Sequence, residues 1–97
     1  MRYSNQEIQS IFTYWCKCFG VKQAKPLPPI ENGHFSKPYT FIVGSYTIPD
    51  GIMGWGIAQY VSNGGGIRVI MRAKSSTAFV EMMQFAILSK ELKNKHS

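Results

Sequence analysis

The chain has 97 residues, of which 44% are hydrophobic and 16% charged, with a formal net charge of +6. That describes one domain, 1–97, near the lower size at which a chain buries its own core. It is too apolar for disorder and has no apolar run near the ~18 residues a membrane span needs.

Met1 to Glu7 lacks the apolar stretch of a signal peptide, so a cytoplasmic protein without membrane attachment is expected. Ser4 with Glu7 forms a capping box, with Tyr3 and Ile8 as its hydrophobic staple. Ile8, Ile11, Phe12, Trp15, Cys18 and Phe19 follow at helical spacing and Gly20 supplies the stop, which predicts a helix over 5–19. Cys16 and Cys18 point to different sides of such a helix and make neither a disulfide nor a CxxC motif. Together with His34 and His96 they match no familiar zinc spacing, so no metal and no cofactor is expected.

Residues 21–38 hold four prolines and no periodicity, which predicts an extended, partly polyproline-like segment with Leu27 and Ile30 laid over the core. Tyr39 to Ile48 is β-branched and aromatic and predicts a first strand. A turn at Pro49-Asp50-Gly51, a second strand from Trp55 to Val61, a hairpin turn at 62–66 and a third strand from Ile67 to Arg72 complete a meander. Ser75, Ser76 and Thr77 offer N-caps for a second helix over about 77–93, followed by a frayed basic tail at 93–97. The expected fold is α+β in the order α-β-β-β-α, with two helices packed on one face of a three-stranded antiparallel sheet.

On a helical wheel, Phe79, Val80, Met82, Met83, Ala86 and Ile87 form one broad face suited to the sheet. Phe85, Leu88 and Leu92 form a second stripe, which either the first helix or another chain must cover.

The glycines at 51, 54 and 56 match neither known phosphate-loop spacing, and no helix begins after them. Five carboxylates and two histidines offer little for acid–base chemistry, so a non-enzymatic protein is expected. Strand alternation places Arg68 and Arg72 on the sheet face away from the helices, with Lys74 beyond and Tyr60 and Tyr46 beside them. Guanidinium forks among aromatic plates suit phosphates and stacked bases, and nucleic acid is the first partner expected. The alternative is a protein target. In that case the chain is an inhibitor or adaptor of the phage or mobile-element type, able to pair with a second copy, acting through Met53, Trp55, Phe85, Leu88 and Leu92.

The element order is similar to that of the double-stranded-RNA-binding domain. Gly33-His34 alone echoes that family's loop and Lys74 alone stands where it has a lysine cluster, so the likeness implies an arrangement and not an activity.

Overall fold

A computed structural model describes residues 3–49 and 54–95. The α+β class holds, with two antiparallel sheets rather than one.

Helix α1 spans Asn5–Phe19, with both limbs of the capping box closed: Glu7 N–H donates to Ser4 Oγ and Ser4 N–H donates to Glu7 Oε1, each at 3.1 Å. Gly20 ends it at φ 65°, a left-handed conformation that glycine adopts without a Cβ penalty. Residues 22–24 then run beside the sheet, where Ala24 N–H donates to Tyr46 O and Tyr46 N–H donates to Lys22 O, both at 2.8 Å.

The proline-rich segment departs from expectation. It contains a hairpin, β1 (Ile30–Glu31) paired with β2 (His34–Phe35). Asn32 and Gly33 at its tip have φ of 52° and 79°, the two positive values a type I′ turn requires. Ile30 is 71% exposed there and belongs to no core.

The expected first strand is mostly irregular, and only β3, Tyr46–Thr47, is regular. At Gly44 (φ 92°) the chain swings off the sheet edge after its N–H has donated to Tyr60 O at 2.8 Å. Residues 35–41 fold back over the sheet, and Phe41 lies 5.0 Å from Tyr60 between ring centroids. Phe35 and Tyr39 extend that cluster, and the Tyr39 hydroxyl ties it to the proline segment by donating to Lys25 O at 2.7 Å. Gly65 passes beneath the Phe41 ring, where a Cβ would meet ring atoms at 3.1 Å.

Strand β4 (Trp55–Tyr60) is central between β3 and β5 (Ile67–Ala73), and α2 (Ser76–Lys95) follows, with Ser75 Oγ accepting from Ala78 N–H. The core joins Ile8, Phe12 and Cys16 of α1 to Phe79, Val80 and Met83 of α2 and to Ile57 and Ala73 of the sheet. The turn expected around Asp50 and Gly51 lies outside the described residues.

Candidate functional site

The five residues expected to form one basic and aromatic sheet face are divided by a β-bulge. Partners across an antiparallel ladder share a face. Trp55 pairs with Ala73, Gly56 with Arg72 and Ile57 with Met71, after which the register shifts and Ala58 pairs with Val69, Gln59 with Arg68 and Tyr60 with Ile67. Ile70 is the extra residue, and one extra residue reverses the parity of everything beyond it. Arg68 therefore shares the helix-side face with Gln59 and Ile57, whereas Arg72 shares the opposite face with Gly56.

The aromatic members are split as well. Tyr46 pairs with Gln59 on the helix side, where its ring lies 5.9 Å from Trp15 of α1. Tyr60 faces the other way and is buried beneath Phe41. Arg68 is engaged within the sheet, its guanidinium donating to Gln59 Oε1 at 3.1 Å. Lys74 is exposed just past the end of β5. No single surface holds these side chains together.

Trp55, named for the protein-binding alternative, is partly buried. Its ring stacks on Phe79 at 6.0 Å and packs against the core. Met53 lies outside the described residues.

The second stripe of α2, for which cover by α1 or by another chain is expected, is left exposed. Helices α1 and α2 pack through Ile8, Phe12, Val80 and Met83, with Ile87 buried beside them. At the edge of this contact the Tyr14 hydroxyl donates to Glu91 Oε1 at 2.6 Å, and that bond pushes the Tyr14 phenol up to about 12. Lys90 sits 5.8 Å above the Phe19 ring. These contacts fix α1 to one flank of α2 and leave the other flank bare: Phe85 is 73% exposed, Leu88 53% and Leu92 49%. Beside the bare stripe opens a mostly apolar groove of about 340 Å³ between the helices, lined by Ile11, Tyr14, Ile87, Leu88 and Glu91 among others.

The groove was not expected from sequence. Its signal is the pair Ile11 and Tyr14, one turn apart and on the side of α1 next to its buried stripe. Among the described residues no three of His, Cys, Asp and Glu gather in a way that could hold a metal ion, and no helix is long and apolar enough to cross a membrane. No family model matches the chain, and neither a curated protein nor a solved structure matches it.

Proposed function

We propose that this chain is a non-enzymatic protein-binding module, two helices on one face of a three-stranded sheet, whose docking surface is the outer stripe of α2. The observation that carries the reading is the exposure of Phe85, Leu88 and Leu92 in one row on a helix whose Phe79, Val80, Met83 and Ile87 are buried. Three large apolar side chains in a row are a costly surface to leave in water, at roughly 25 cal/mol per Å² of apolar area. Clustered exposure of this sort marks interaction sites, whereas apolar side chains scattered singly do not. The adjoining groove adds a concave edge into which a partner side chain fits. An adaptor or inhibitor is the class this surface serves. The nucleic-acid reading has less support from the geometry, because the bulge separates Arg68 from Arg72 and Phe41 covers Tyr60.

A photo-crosslinking residue in place of Leu88 tests the reading. It is expected to capture protein at that position, in competition with unlabelled wild type, while the same probe at Asn63 in the hairpin turn captures none. Equal capture at both positions, or retention of nucleic acid that Arg72→Glu abolishes, overturns it.

A further inference from the structure

The stripe on α2 has a polarity that the three apolar residues alone do not display. Extended by one position at each end it reads Glu81, Phe85, Leu88, Leu92, Lys95, with steps of four, three, four and three. These five positions fall on one narrow face of the helix and cover ~21 Å of its length at 1.5 Å per residue. Both end residues are exposed and lie within the helical span. An acid therefore sits at one end of the row, a base at the other, and a leucine at the centre.

We infer that the partner for this face is a second copy of the chain, its α2 laid antiparallel across the first about a two-fold axis at Leu88. The inference rests on the reading of α2 as a docking surface. With the axis at Leu88, Glu81 stands opposite Lys95 of the second copy, and Lys95 opposite Glu81 of the second copy, giving two equivalent ion pairs. Phe85 falls opposite position 91 and beside Leu92 of the second copy. A two-fold interface needs a patch complementary to itself, and this row is one.

A parallel pairing sets Glu81 against Glu81 and Lys95 against Lys95, so like charges disfavour it. The charges thus choose both the orientation and the partner. The β5 edge makes the opposite choice, since self-pairing about Ile70 would bring Arg68 of one copy against Arg72 of the other.

The test uses light scattering and sedimentation of the full chain from about 1 µM to about 1 mM. The wild type is expected to pass from monomer to dimer across that range. Phe85→Glu and Leu88→Glu each abolish the dimer with unchanged circular dichroism. Glu81→Lys alone and Lys95→Glu alone each weaken self-association by about tenfold, the size expected when exposed pairs turn repulsive. Mixing those two variants restores the wild-type affinity, because every cross-pair in the mixed dimer is again attractive, and the double variant Glu81→Lys/Lys95→Glu restores it too.

A wild type still monomeric at about 1 mM sinks the inference, as do charge variants that dimerise like the wild type. If that monomer nonetheless crosslinks to a different protein through position 88, only the self-pairing is lost and the docking surface stands. If position 88 crosslinks to nothing, both fall.

Discussion

The two stripes of α2 are made of the same kinds of side chain and meet opposite fates. Phe79, Val80, Met83 and Ile87 are buried against α1 and the sheet, while Phe85, Leu88 and Leu92 face solvent on the same helix. Hydrophobicity therefore does not explain which stripe is core. The difference is the number of surfaces available: among the described residues α1 and the sheet cover one side of α2, and the other side carries the exposed stripe. An apolar stripe becomes core only where something in the same chain reaches it. Where nothing does, the stripe is available to another molecule.

Substitution at matched positions breaks the comparison most sharply. Met83→Ala is expected to cost about 2–5 kcal/mol through lost burial and a cavity, a large share of the ~5–15 kcal/mol that holds a domain of this size. Leu88→Ala is expected to stay within about 0.5 kcal/mol. Thermal and urea denaturation of the two variants measure this, and equal losses would mean that Leu88 is covered.

A smaller effect comes from loosening the helix that covers the buried stripe. Ser4→Ala opens the capping box of α1 and is expected to cost about 1 kcal/mol. Combined with Met83→Ala it should depart from additivity only slightly, because Ser4 contacts its own helix end and not the core.

The same contrast between covered and bare faces recurs on α1. Cys16 is buried, and burial pushes its thiol up to about 11, whereas Cys18 is partly exposed. A thiol reagent at pH 8 is expected to modify Cys18 in the folded chain and Cys16 only on unfolding. Because the Cys16 value is raised on folding, its contribution to stability is complete below pH 9 and is lost as pH rises through about 11.

The smallest effect marks the border between the two stripes. The hydrogen bond from the Tyr14 hydroxyl to Glu91, with Cys18 adding to the effect, pushes the phenol up to about 12. In an ultraviolet pH titration the difference between wild type and Tyr14→Phe should have its midpoint there, and Glu91→Gln should bring it down toward 10. The sign again gives stability that is present below pH 10 and lost as pH rises through about 12. A Tyr14 midpoint near 10 in the wild type would remove the bond that fixes α1 to this flank.

Local signals in the sequence determined a good part of this molecule. The capping box, the stop at Gly20 and the 3.6-residue stripe put α1 at Asn5–Phe19, because those interactions lie within a few residues of each other. The two stripes of α2 were legible for the same reason, although Met82, expected on the sheet-facing side, is exposed. Asn32-Gly33 also carried a local hairpin signal, which the surrounding prolines masked.

What only the tertiary structure decided are the features that depend on residues far apart in the chain. Alternation alone aligned Arg68 with Arg72, but the bulge at Ile70 is defined by pairing with β4 and turned them to opposite faces. Residues 39–45 had the composition of a strand, yet Phe41 closes over Tyr60 and Gly65 instead of lengthening an edge. Which side of α2 stays bare likewise follows from where α1 packs, a choice made by contacts far apart in sequence, such as that of Tyr14 with Glu91, 77 residues apart. Periodicity counts the apolar faces of a helix, and only packing decides which of them meets protein and which meets water.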